Sequence, residues 1–176
     1  MKTLILVSLA AAVAVSAAGS SHVEEPAASP EHTVVQREVV QRALAALPDD
    51  PAQVGAELGL TLAPGLVTPP VRRAIGLKLE KMAQASRGDH PWLTYWLLVA
   101  GDGAGMGLAG FKGLPDAAGD VEIGYGLVPA YEGRGYMTEA VRALITWAFD
   151  NPGCRSVTAP DTLRSNMASN RVLEKA

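Results

Sequence analysis

Apolar positions change their period several times along this chain, and each change marks an element. The first stretch has no polar period at all. Met1-Lys2 precedes an apolar run from Leu4 to Val15, and the small residues Ser16-Ala17-Ala18 follow. Two readings fit. A short basic start, an apolar core and small residues form a signal-peptide pattern over residues 1–18. The same residues read as a buried strand, Thr3 to Val7, leading into an Ala-rich helix. The strand reading is preferred because the rest of the chain has the look of a cytoplasmic enzyme; export is the alternative. The run is shorter than the ~20 residues of a membrane-spanning helix.

Gly19 to Thr33 is small, polar and broken by Pro26 and Pro30, which predicts a linker. Val35, Val39, Leu44 and Leu47 recur at helical spacing. Pro48-Asp49-Asp50-Pro51 interrupts them; Asp50 can cap a new helix with Pro51 in its first turn, ending near Leu58 at Gly59. Thr61 to Pro70 reads as a loop, and Val71 to Ala85 as a helix carrying Ile75, Leu77, Leu79 and Met82 among Arg72, Arg73, Lys78 and Lys81. The period then drops to that of strands. Trp92 to Ala100, Met106 to Lys112 and Val121 to Val128 are three strands joined by short Gly/Asp/Pro turns, an antiparallel meander. Thr138 to Phe149 returns to the helical period, with Val141, Leu144, Ile145, Ala148 and Phe149 on one face and Thr138 and Glu139 at its start. Asn151-Pro152-Gly153 ends it. Arg155 to Ala159 is a strand, and a last helix begins at Met167 or Ala168 with Val172 and Leu173 facing inward.

The 176 residues suit one domain of ordinary size, and 48% hydrophobic content supplies its core. A formal charge of -3 without a long basic block argues against a nucleic-acid-binding face. The single cysteine, Cys154, allows no internal disulfide, and His22, His32 and His90 lack metal-ligand spacing, so no metal is expected.

The chemistry concentrates in Val121 to Glu139, VEIGYGLVPAYEGRGYMTE. A strand runs into a short loop, and a strong helix starts at once. That layout aims backbone N–H groups and a helix N-terminus into one small space, a ready site for a diphosphate. Gly133 and Gly135 let the backbone come close to phosphate oxygens, and Arg134 adds a charge-assisted donor. No G-x-x-x-x-G-K-[ST] occurs, and no G-x-G-x-x-G opens a helix after a first parallel strand, so neither a Walker-type loop nor a dinucleotide fingerprint fits.

Four segments in this order, GFKG (110–113), VEIGYGLVP (121–129), YEGRGYMTEAVRALITWAF (131–149) and SNMASNRVLEKA (165–176), resemble the GNAT N-acetyltransferases, in particular the RimJ/RimL-like subgroup. The good match runs from about Trp92 to Ala176, and weaker likeness begins near Ala52, so residues 52–176 form the acetyltransferase domain and 1–51 a separate N-terminal segment. The resemblance implies an α/β GNAT fold, a mixed and mostly antiparallel sheet flanked by helices. It implies acetyl-CoA as co-substrate and an amine as acceptor, a small molecule or a protein N-terminus. Leu127 and Val128 would meet the pantetheine amides through their backbone. Glu132, Gly133, Arg134, Gly135, Tyr136 and Met137 would cradle the diphosphate, with Thr138 at the helix edge and Asn166 near the cofactor arm. Glu122 is the candidate base, Ser169 a hydroxyl able to protonate the leaving thiolate, and Tyr125 (with Tyr131) a further acid or acceptor contact. Backbone N–H groups near Leu127 would stabilise the oxyanion. Cys154 has no paired histidine nearby, which speaks against an acyl-cysteine route.

Several features depart from the family pattern. Met137 stands at a small-residue position of the loop, where the subgroup commonly accepts a larger residue, and the stretch from Ala10 to Pro48 delays the first helices. Glu132 stands where Gln or Arg is common and sets a carboxylate near a diphosphate. The chain also stops where the family continues with a glycine, an aromatic residue and two strands, so the last strands are expected to be missing and the sheet edge open, with a homodimer conceivable. Three functions follow: an N-acetyltransferase, a degenerate CoA-binding module without turnover, and, on the signal-peptide reading, an exported binding protein. No membrane partner is expected.

Overall fold

The computed structural model describes the backbone of residues 4–8 and 14–16, and residues 42–160, 162 and 165–176 in full. The expected helical residues Val35 and Val39 and the linker before them lie outside the described residues. In chain order the strands are Leu4–Ser8 (β1), Ala14–Ser16 (β2), Thr61–Leu62 (β3), Trp96–Ala100 (β4), Ala104–Phe111 (β5), Asp120–Leu127 (β6) and Ser156–Thr158 (β7). They form one sheet in the order β2-β1-β4-β5-β6-β7, and β3 pairs with β5. The neighbours β1–β4, β4–β5 and β5–β6 are antiparallel, as the meander predicts; β3–β5 and β6–β7 are parallel. The first strand agrees with the strand reading of the N-terminus. Ala14–Ser16, where the sequence predicts an Ala-rich helix, instead pairs with β1 as β2.

Helices cover both faces: 42–46 (α1), Pro51–Glu57 (α2), Pro69–Gln84 (α3), the short turn His90–Leu93 (α4), Tyr136–Asp150 (α5) and Met167–Lys175 (α6). The Asp50 side chain accepts the Gln53 N–H at the start of α2, and Gly59 closes its end at φ 68°. Thr68 caps α3 through the Val71 N–H, with Pro69 and Pro70 in its first turn. The loop expected over 61–70 therefore holds a short strand and a helix start. Trp92 and Leu93 also leave the expected strand: Pro91 favours a helical first turn, and the residues pack sideways.

Side-chain alternation fixes what each face meets. Trp96 pairs with Ala109 and Phe111 with Ile123, so these four share one face. Trp147 of α5 packs there, 5.3 Å from Trp96, 4.7 Å from Trp92 and 5.8 Å from Phe111, ring centre to ring centre. The α5 stripe is Met137, Ala140, Val141, Leu144 and Ala148. It lies slightly nearer the N-terminus than expected, and Phe149 stays 52% exposed. Each large apolar side chain so buried contributes ~1.5–3 kcal/mol.

The other face carries Leu97, Leu108 and Gly126, and α3 lies over it. Two lysines of α3 reach past the sheet edge to backbone carbonyls: Lys78 Nζ to Phe111 O at 2.5 Å and Lys81 Nζ to Lys112 O at 2.6 Å. Lys78 is buried, and its Nζ also sits 4.7 Å from the centre of the Tyr95 ring. Composition gave no sign that this lysine of the pair goes inside.

Burial, with the Lys81 charge nearby, brings the Lys78 ammonium down from its ordinary 10.5 to about 7. Between those values the unfolded chain holds a proton that the folded chain has lost, so stability rises with pH. The slope is on the order of 1 kcal/mol per pH unit. Urea unfolding between pH 7 and 10 should show this rise in the parent and a flatter profile in Lys78→Met; parallel profiles would contradict it.

Candidate functional site

The site begins where β6 and β7 part. The two strands pair only at Asp120–Ser156, Val121–Val157 and Glu122–Thr158. Their start is bolted together: Gly119 O accepts the N–H groups of Arg155 at 2.8 Å and Ser156 at 3.2 Å. Gly119 has φ 88°, and a Cβ there would lie 2.8 Å from Gly153 O, so only glycine suits the position. Beyond Thr158 the chain turns away, while β6 runs on to Leu127.

In an antiparallel pair, hydrogen-bonding residues alternate. Lys112 N–H donates to Glu122 O, and Val128 N–H donates to Met106 O at 2.9 Å. The even residues of β6 thus face β5, and Tyr125 and Leu127 aim their N–H and C=O groups toward the gap left by β7. Leu127 stands where a bound chain could add to the edge. Val128 does not share that role: its N–H is taken by Met106 O and its carbonyl accepts the Tyr131 N–H. Tyr125 supplies the second outward set of main-chain groups, a register that sequence alone did not reveal.

A single 3₁₀ turn, Pro129–Tyr131, carries the chain from β6 to the loop Glu132–Gly135. Gly133 and Gly135 have φ of 72° and 85°, which a residue with a side chain adopts at ~1–2 kcal/mol. Gly135 is the N-cap of α5, so the helix starts at Tyr136, ahead of the expected Thr138. The first intrahelical bond runs from Glu139 N–H to Gly135 O. A glycine cap has no side chain to offer, and the first-turn N–H groups of Tyr136, Met137 and Thr138 are directed toward the helix end. Together with the dipole of a 15-residue helix they favour an anion. Arg134 lies over the Tyr131 ring at 5.9 Å, beside the same opening. Met137 contributes its main chain only, since its side chain is buried in the core. Glu132 is exposed at the start of the loop.

Two of the three candidate catalytic residues, Glu122 and Tyr125, occupy opposite faces of β6, and Ser169 lies on α6. Glu122 shares a face with Gly124 and Gly126 and forms an ion pair with Lys112 at 2.9 Å. Both side chains are more than 40% exposed, and a pair so hydrated is worth ~1 kcal/mol or less. The carboxylate can therefore leave the lysine for another partner at small cost. Tyr125 faces the other way, and its hydroxyl donates to the backbone oxygen of Ser169 at 3.3 Å. Burial raises its phenol above the ordinary value, so it keeps its proton at neutral pH. Ser169 and Tyr125 are thus brought together, and Glu122 lies across the strand from them. Asn166 is the N-cap of α6: its Oδ1 accepts the Ser169 N–H at 3.1 Å. Cys154 is partly buried with its thiol turned to Ser156 O, and burial raises its pKa, which makes a poor nucleophile.

A cleft of about 330 Å³ opens on the Glu122 face. Its floor is Gly124 to Leu127, and its walls come from the loop before α3, the first turns of α3, Tyr95 and Leu108. The sequence reading missed this wall, because a loop of Gly65, Leu66 and Thr68 carries no motif. Among the described residues no cluster of three or more His, Cys, Asp or Glu is placed to hold a metal ion, and no helix is long and apolar enough to cross a membrane.

The family model described as acetyltransferase (GNAT) domain matches residues 42–176. The chain is 35% identical over 81 residues to the uncharacterized N-acetyltransferase YjdG of Bacillus subtilis, covering 46% of this chain and 48% of that protein. It therefore spans about half the length of the curated relative it matches. Among solved structures it is similar to a GNAT-family acetyltransferase of Bacillus anthracis, at 26% identity and a TM-score of 0.42 over 46% of this chain and 48% of that one. It is also similar to RimJ of Mycobacterium smegmatis in complex with CoA-disulfide, at 16% identity and a TM-score of 0.45 over 99% and 73% of the two chains.

The cap on α6 gives a direct check of the local geometry. Asn166→Ala should lower unfolding stability by ~1 kcal/mol, and Asn166→Asp should restore most of it, both read by urea denaturation. Equal loss in both variants would show that the cap is not the interaction that matters.

Proposed function

The chain belongs to the GNAT acetyltransferase family, and on that premise we propose that it moves the acetyl group of acetyl-CoA to a primary amine, on a small molecule or a protein N-terminus. Within the family, its motifs resemble those of the RimJ/RimL-like proteins. The observation that carries the reading is the open edge of β6 leading directly into a glycine loop and an uncapped helix N-terminus. The extended pantetheine arm pairs with the outward main-chain groups of Tyr125 and with the Leu127 carbonyl, as an added strand would, which leaves the Leu127 N–H for the thioester oxygen. The diphosphate lies against Gly133 to Gly135 and the N–H groups of Tyr136 to Thr138. Arg134 supplies a cation there.

Chemistry follows from the two faces of β6. The amine enters from the cleft side. Glu122, released from Lys112, takes a proton from the ammonium through a water. The free amine attacks the thioester carbonyl, and the Leu127 N–H meets the oxygen that becomes negative. The C–N bond forms and the adduct nitrogen gives its extra proton to water; the C–S bond breaks, and the thiolate takes a proton from the Tyr125–Ser169 side, which regains one from solvent. Products are an N-acetyl amine and CoA.

A second reading, a CoA-binding module without turnover, draws support from the Lys112–Glu122 ion pair and from Glu132 beside the loop. Calorimetry and turnover separate the two. The parent should bind acetyl-CoA with a Kd on the order of micromolar, and Gly135→Asp should abolish binding. Glu122→Gln should keep that affinity and lose about 10²-fold in kcat. Undiminished turnover in Glu122→Gln removes it as the base. Binding with no turnover in the parent leaves the module.

A further inference from the structure

We propose that Gly124 and Gly126 form an open floor in the acceptor cleft and select an amine carried on a broad apolar body, a single ring or a branched aliphatic group. The inference rests on the transferase reading above and names the substrate class for its cleft.

Both glycines lie mid-strand in β6, where glycine weakens a strand and packs nothing. Neither has a positive φ, so the backbone does not require it. Among the described residues, a Cβ built on either one meets nothing within 4 Å. The glycines of the neighbouring strand behave differently. A Cβ on Gly110 would lie 2.5 Å from Thr94 O, and one on Gly107 would lie 2.8 Å from Gly126 O. Those two are explained by packing within the chain. Gly124 and Gly126 are not, and the space above them belongs to the cleft.

The surroundings define what fits. The facing walls are Leu66, Val71, Leu108 and the Tyr95 ring. Lys78 holds that ring from behind, at 4.7 Å, so the wall is fixed in place. Flat backbone below and an aromatic ring at the side suit a ring or a branched carbon body, which gains by leaving water. About 330 Å³ is at the small end of ligand sites and matches one such group. The floor also adjoins Leu127 at the open edge of β6, where the thioester is placed, and Glu122 lies two residues back on the same face. An amine projecting from such a body toward Leu127 would meet both.

The probes are 2-phenylethylamine and the polycation spermidine, with acetyl-CoA binding measured in every sample. The parent should acetylate 2-phenylethylamine with a kcat/KM at least tenfold above that for spermidine. Gly126→Val and Gly124→Val should each raise KM for 2-phenylethylamine about tenfold while the Kd for acetyl-CoA holds. Valine suits a strand, and the milder Gly126→Ala provides a second variant should valine disturb folding. Calorimetric binding of 2-phenylethylamine to the CoA-loaded protein should fall in the same order. A preference for spermidine, an unchanged KM in the variants, or no binding of 2-phenylethylamine to the CoA-loaded parent overturns the inference. Spermidine transfer with intact acetyl-CoA binding overturns it alone; failure to bind acetyl-CoA at all overturns the transferase reading with it.

Discussion

Two parallel strands held together at one end only are what the rest of this structure depends on. β6 and β7 share three residue pairs, clamped by the Gly119 carbonyl, and then separate. A strand edge left without a partner holds main-chain donors and acceptors that must be met by water or by a ligand. The same divergence sets the direction of the turn after β6, and hence where the α5 N-terminus points. Edge and helix end therefore form one continuous polar track, assembled from main-chain atoms. On the proposed reading such a track suits an extended amide-containing chain followed by an anion, with little demand on side-chain identity.

The two sides of that track are kept distinct by the sheet itself. The aromatic cluster around Trp147 and the buried stripe of α5 anchor one face. On the other, α3 is tethered by Lys78 and Lys81 to carbonyls at the end of β5 and the turn after it. With both helices fixed, the cleft between α3 and β6 keeps its shape. Glu122 then lies on the same face of β6 as Gly124 and Gly126, and the Tyr125 hydroxyl faces α6. Tyr125 keeps its proton because burial raises its phenol above the ordinary value.

Much of this was legible in the sequence because it follows from local rules. Asp50-Pro51 and the alternation through β6 need only near neighbours to be read. The glycine loop was equally plain, because no other residue takes its φ values cheaply. What escaped depends on distant partners. The Trp92–Leu93 pair has strand composition, but Pro91 and contacts with Phe111 and Trp147 turn it into a helical step. Phe149 follows the helical period yet stays exposed, because α5 meets the sheet through residues nearer its start. Lys78 gave no signal at all: a lysine on an amphipathic helix is ordinarily solvated, and only the carbonyl of Phe111, 33 residues on, draws it inside. The Val128 N–H was expected to be available, but the register of β5 against β6 commits it to Met106.

The most direct test of the account is amide-resolved NMR of the 176-residue chain titrated with CoA. The account predicts that the amide signals of Tyr125, Leu127, Gly133 to Gly135 and Tyr136 to Thr138 shift together, and that the Val128 amide, bonded to Met106, keeps its protection from exchange. Shifts confined to other parts of the chain, or movement of the loop without the β6 edge, would contradict it.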